Sequence, residues 1–124
     1  MHISEISKQI NDNAKAHGFW EENPNIAEKL MLVVSELSEA LEADRKNYFA
    51  SVKKYQHACG TIDHNEGKDA MFNLHIKNSF EDEIADAVIR LFDLSFHLGI
   101  DLETHIAMKH DYNTRRPFKH GKKY

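Results

Sequence analysis

Residues 26–46, IAEKLMLVVSELSEALEADRK, decide the fold. Ile26, Leu30, Val33, Leu37 and Leu41 recur at three- and four-residue steps, which puts them on one face of an α-helix. Asn25 stands at the N-cap position, and Glu28 follows three residues later, as in a capping box. Glu36 and Glu39 fall on the flank of the apolar stripe, near a helix-packing seam rather than fully in water. The stretch 80–98, FEDEIADAVIRLFDLSFHL, repeats this design. Phe80, Ile84, Ala87, Leu91, Leu94 and Leu98 form its apolar stripe, and Glu83, Asp86, Arg90, Asp93 and His97 run beside it. Asn78 or Ser79 supplies the N-cap and Gly99 the C-cap.

Two further helices flank these. Ile3, Ile6, Ile10 and Ala14 mark one face of a helix over 3–16, ended by His17-Gly18. Phe19 and Trp20 follow in a connector that also holds Asn23-Pro24. Asp101 caps a last helix that reaches about Arg116, with Ile106 and Met108 as apolar contacts and Pro117 as the stop. Between them, 47–78 reads as an insertion. There 47–55 suggests a short helix, GTIDHNEGKDA (60–70) a loop, and MFNLHIK (71–77) a short helix or a strand. The expected architecture is all-α and four-helix-bundle-like. It forms a single domain over 1–124, needs no sheet, and completes a modest core by association.

Composition narrows the function classes. The 124 residues are 41% hydrophobic and 29% charged, ordinary for a soluble globular chain. A net charge of −4 argues against coating a nucleic-acid polymer. The closing stretch 109–124, KHDYNTRRPFKHGKKY, is nonetheless basic, with Asp111 its one acid; it suits phosphates or a solvated end. A single cysteine, Cys59, forbids an intrachain disulfide. The amphipathic start lacks a signal-peptide apolar region, and no apolar run is long enough for a bilayer. The expectation is a cytoplasmic protein without a membrane partner.

The chemistry sits in two carboxylate pairs. Residues three apart project from one helix face, so Glu36 with Glu39, and Glu83 with Asp86, present two acids each. Four acids brought together repel one another unless a cation joins them. Mg²⁺ prefers oxygen ligands and also binds substrate phosphates; Mn²⁺ is a possible substitute. Glu42 reads as a surface glutamate or an outer ligand. Asp93 lies too far along the helix for a shared ion and is expected to pair with Arg90 or with a group across the bundle. Lys109, Asn113 and Arg116 share a face that supplies a point charge, an amide and a planar fork, suited to polyphosphate. Trp20 suits stacking on a nucleobase or packing against the bundle. His57, Cys59, His64 and His75 match no compact zinc spacing. No phosphate-binding glycine loop, dinucleotide fingerprint or serine elbow is present.

These motifs resemble the MazG-like nucleotide pyrophosphohydrolases. The resemblance covers roughly 17–46 and 79–124, and rests on ExxE (Glu36, Glu39), ExxD (Glu83, Asp86) and the K-xxx-N-xx-RP element (Lys109, Asn113, Arg116, Pro117). It implies Mg²⁺-dependent hydrolysis of a nucleoside triphosphate to the monophosphate and pyrophosphate, and a role in clearing surplus or non-canonical nucleotides. The four carboxylates would hold metal, while Lys109, Asn113 and Arg116 would contact phosphates and Trp20 the base. Glu36 or Glu39 would act as general base. A homodimer or homotetramer is implied as well. The insertion at 47–78 departs from the compact members and bears on substrate choice. The alternative is a non-catalytic helical module that binds nucleotide or metal for regulation or assembly.

Overall fold

The computed structural model describes residues 2–22 and 24–124, so Asn23 of the first connector lies outside the described residues. Among the described residues the chain is all-helical, with no strand. The helices are α1 (Ile3–Ala16), α2 (Ile26–Arg45), α3 (Val52–Cys59), α4 (Asn65–His75), α5 (Phe80–His97) and α6 (Leu102–Thr114). A 3₁₀ turn follows at Phe118–Gly121. None of the described helices is long and apolar enough to cross a membrane. The chain divides into two compact units, and the division falls within α5. The central unit is Pro24–Leu91; the terminal unit is Met1–Asn23 with Phe92–Tyr124.

In the central unit, α2 starts where the Asn25 side chain accepts the Ala27 N–H (2.8 Å). It ends because Asn47 takes the left-handed conformation (φ 53°), which lets the Tyr48 N–H return to the Ala43 carbonyl (2.9 Å). This termination corrects the expectation of a short helix over 47–55: α3 begins only at Val52. The loop expected at 60–70 is also corrected, since most of it forms the first half of α4. Gly67 gives the segment its turn-like signal. It sits in the first turn of α4, its N–H donating to His64 Nδ1 (3.0 Å). A Cβ at Gly67 would come within 2.6 Å of His64 Cε1 and 2.7 Å of Ile62 Cγ2. The glycine therefore serves a close approach rather than a turn. Of the stretch 71–77, for which a short helix or a strand is expected, residues 71–75 continue α4.

The two stems of the α3–α4 excursion are tied to each other. Ser51 N–H donates to the His75 carbonyl (2.9 Å), Phe80 N–H to the Tyr48 carbonyl (3.0 Å), and Tyr48 OH to the Lys77 carbonyl (2.8 Å). Phe49 meets Phe80 edge to face, and Ala50 N–H donates to Glu81 Oε2 (2.7 Å). The closed base thus joins the C-terminus of α2 to the N-terminus of α5. Ser79 settles the capping choice there, its Oγ accepting the Asp82 N–H (3.2 Å).

Burial in the central unit differs from the simple stripe. The buried side of α2 holds Val33, Glu36, Ala40 and Ala43. Ile26, Leu30, Leu37 and Leu41 are 50, 47, 48 and 51% exposed. On α5, Glu83 and Ala87 are buried, whereas Ile84 and Leu91 are exposed. A continuous apolar strip therefore faces outward on each helix of this single chain.

The terminal unit has its own logic. The expected face of α1 (Ile3, Ile6, Ile10 and Ala14) is half-buried, and the buried residues of this helix are Ser7 and Asn11 beside it. Asn11 Nδ2 donates to Asp93 Oδ1 (2.7 Å), and the Trp20 indole N–H lies 3.1 Å from both Asp93 oxygens. Asp93 is thus met by groups from other elements, not by its helix neighbour Arg90. Asp101 caps α6, accepting from the Thr104 N–H (3.1 Å) and hydroxyl (2.7 Å). α6 stops at Thr114, slightly before the expected Arg116, and Ile106 and Met108 are exposed rather than packed.

Candidate functional site

α2 and α5 bring three carboxylates of the central unit together. Glu36, Glu39 and Glu83 each offer an oxygen within 4.8 Å of the others. Glu36 and Glu83 are buried and Glu39 is exposed. Among the described residues this is the one convergence of three or more histidine, cysteine or acidic ligand groups. The histidines and Cys59 of the α3–α4 excursion form none, and His64 is engaged in capping α4. Asp86, the fourth acid expected from the spacing, is half-buried on α5 and is not a member of the converging trio.

A feature invisible in the spacing is Arg90. Its Nε donates to Glu36 Oε1 at 2.6 Å, joining residues 54 apart in sequence. No local pattern marks this pair, because both partners simply appear within polar stripes of separate helices. Burial pushes the Glu36 carboxyl up, but the Arg90 guanidinium and hydrogen bonds within the acid cluster outweigh it, so Glu36 lies below the ordinary carboxylate range. Its neighbours move the other way. Hydrogen bonding to Glu36 and the Glu36 charge raise Glu39. Burial, then the charge of Glu39, pushes Glu83 up to about 7. Burial and the Asp82 charge raise Asp86. One guanidinium thus fixes one carboxylate as an anion, and the others are left with unbalanced negative charge.

That donor set fits a hard dication. All three converging groups are carboxylate oxygens, the ligands Mg²⁺ favours; Glu83 is raised first by burial and Glu39 first by its hydrogen bond to Glu36, and a cation would offset the charge repulsion that adds to both. Glu42 takes no part: it is exposed and pairs with Arg45 (3.7 Å) and Lys46 (3.4 Å).

The remaining expected site residues lie in the terminal unit. Lys109 and Asn113 share a shallow groove of about 550 Å³ with His105, Ile106 and His110. The Lys109 ammonium stands 5.0 Å, and the Arg116 guanidinium carbon 5.7 Å, from the centroid of the Tyr112 ring. One aromatic ring therefore organises both cations. Tyr112 carries no motif signal, being a single aromatic on a mostly polar helix. Trp20 is half-buried, and its ring stacks on His97 at 3.7 Å with 9° between planes. Held also by Asp93, the indole is fixed in place as part of the packing of this unit.

Compared with protein-family models, with curated proteins and with solved structures, the chain matches none.

Proposed function

We propose that this chain is a Mg²⁺-dependent nucleoside triphosphate pyrophosphohydrolase of the MazG-like kind, converting (d)NTP and water to (d)NMP and pyrophosphate. The observation that carries the reading is the convergence of Glu36, Glu39 and Glu83 from two helices, each presenting an oxygen within 4.8 Å of the others. Cleaving a phosphoanhydride requires charge neutralisation and a positioned water more than a covalent nucleophile. Mg²⁺, with Mn²⁺ as substitute, would be held by Glu36, Glu39 and Glu83 with Asp86 beside them, and would supply the neutralisation.

The residues of the chain divide the remaining work. Arg90 pins Glu36 as an anion and occupies its Oε1, so Glu36 is the positioned member of the pair. Glu39 is exposed and its carboxyl is raised, which makes it the better general base, placed to take the proton of the attacking water. The groove on α6 offers Lys109, Asn113 and nearby Arg116 as donors for phosphate oxygens. The oligomeric part of the proposal, a homodimer or homotetramer, is supported by the outward apolar strip of Ile26, Leu30, Leu37 and Leu41, since apolar area of this extent is normally covered by another surface.

The test is pyrophosphate release across canonical and modified (d)NTPs with Mg²⁺. Turnover of at least one substrate is expected, with Glu39→Gln lowering it by about 10²–10⁴-fold while the circular dichroism spectrum is unchanged. A folded, metal-binding sample that turns over no nucleotide would replace this reading with the non-catalytic binding module.

A further inference from the structure

The start of α1, the end of α5 and the start of α6 enclose a second concavity, a groove of about 510 Å³ lying wholly within the terminal unit. Its size is that of a small-molecule site. Ile3, Phe96, Ile100 and Leu102 supply apolar wall. Ser7 lines it too, is only 4% exposed, and its hydroxyl has no hydrogen-bond partner. A buried hydroxyl in that state favours any occupant that brings a polar hydrogen.

Charge decides what kind of occupant. Asp101 and Glu103 line the groove, and among the described residues that do so none is basic; His2 Nδ1 stands 3.5 Å from Glu103 Oε1, and the Ser4 N–H donates to Glu103 Oε2 (3.4 Å), so an incoming ammonium shares Glu103 with these two groups. Asp101 is held below the ordinary carboxylate range by its bonds to the Thr104 hydroxyl and N–H, so it is anionic at neutral pH. The positive end of α6 does not reverse this, because Asp101 meets the Thr104 N–H and the Ile100 carbonyl meets the Leu102 N–H. An anion such as a nucleotide phosphate is disfavoured here.

We propose that this groove binds a small cationic amphiphile, one ring or short aliphatic body carrying a protonated amine. The body packs on Ile3, Phe96, Ile100 and Leu102, and the ammonium donates to Ser7 Oγ and faces the Asp101 and Glu103 carboxylates. No residue of this groove belongs to the acid cluster on α2 and α5, so the site stands or falls separately from the pyrophosphohydrolase reading.

Three probes of nearly equal shape test it on the intact chain: 2-phenylethylamine, 2-phenylethanol and phenylacetate, each titrated while amide ¹H–¹⁵N shifts are followed. The amine is expected to give saturable shifts confined to the amides of Ser7, Gly99, Ile100 and Glu103. It should bind about three- to tenfold more tightly than the alcohol, with the carboxylate weakest. Ser7→Ala should weaken the amine several-fold without lowering the melting temperature, because it removes an unpaired hydroxyl. Glu103→Gln, at the exposed rim, should bring amine and alcohol closer together, and it reads the charge effect even if the Ser7 variant folds poorly. Phenylacetate binding as well as the amine, shifts scattered outside these residues, absence of saturation, or indifference of the affinity to both substitutions would each overturn the proposal.

Discussion

Replacing Glu83 with glutamine removes one negative charge from the acid cluster and keeps the side chain's shape. The folded chain holds the Glu83 proton up to about 7, against an ordinary value of 4.5. Between these values the folded state binds more protons than the unfolded state, so the wild-type chain loses stability as pH rises through that window. The full displacement corresponds to roughly 3 kcal/mol. Glu39 is exposed, so solvent screens part of the repulsion, and about 1–2 kcal/mol is the expected effect. In metal-free buffer at about pH 8, Glu83→Gln should therefore melt about 4–8 °C above wild type, measured by calorimetry with a chelator present. Near pH 5 the gain should fall to a third or less, because wild-type Glu83 is then protonated in the fold. Adding Mg²⁺ should raise the wild type more than the variant, since a ligand stabilises only the state it binds. A variant no more stable than wild type at the higher pH, or a gain independent of pH, would mean that burial and the neighbouring carboxylates do not disfavour the Glu83 anion as the geometry requires.

Arg90→Ala should cost about 1–2 kcal/mol in urea unfolding near neutral pH, through loss of a half-exposed ion pair to a buried carboxylate. Because Glu36 lies below 4.5 in the fold, this penalty should fade as pH falls through its folded value. Gly67→Ala should destabilise by about 1–3 kcal/mol, because the added Cβ meets His64 and Ile62 at 2.6 and 2.7 Å; faster amide exchange confined to α3 and α4 would reveal it. Leu37→Glu, on the outward strip of α2, should leave helicity intact and reduce the assembled mass in analytical ultracentrifugation.

The four long helices were legible because their signals are local. Three- and four-residue apolar steps, Asn25, Ser79 and Asp101 as caps, and Gly99 in the left-handed region at φ 68° all lie within one turn of what they control. The inner half of α4 was hidden by Gly67, whose small size meets a packing need that no turn rule anticipates. The choice of buried side was hidden too. Periodicity marks Leu30, Leu37 and Leu41 as a face, but only the fold shows that Glu36, Ala40 and Ala43 turn inward in the single chain. Spacing marked four acids, of which Glu36, Glu39 and Glu83 converge and Asp86 does not, whereas Arg90 across from Glu36, Asn11 and Trp20 on Asp93, and Tyr112 beneath two cations depend on distant neighbours.

The stitched base of the α3–α4 excursion carries a consequence for how the molecule tolerates change. Since Tyr48, Ser51, His75, Lys77 and Phe80 already clasp the two stems, the helical loop beyond them is not needed to hold α2 and α5 in register. Such an appendage can melt, shorten or be exchanged for another sequence as a cassette, at a cost dominated by ring-closure entropy, while the clasp keeps the acids assembled.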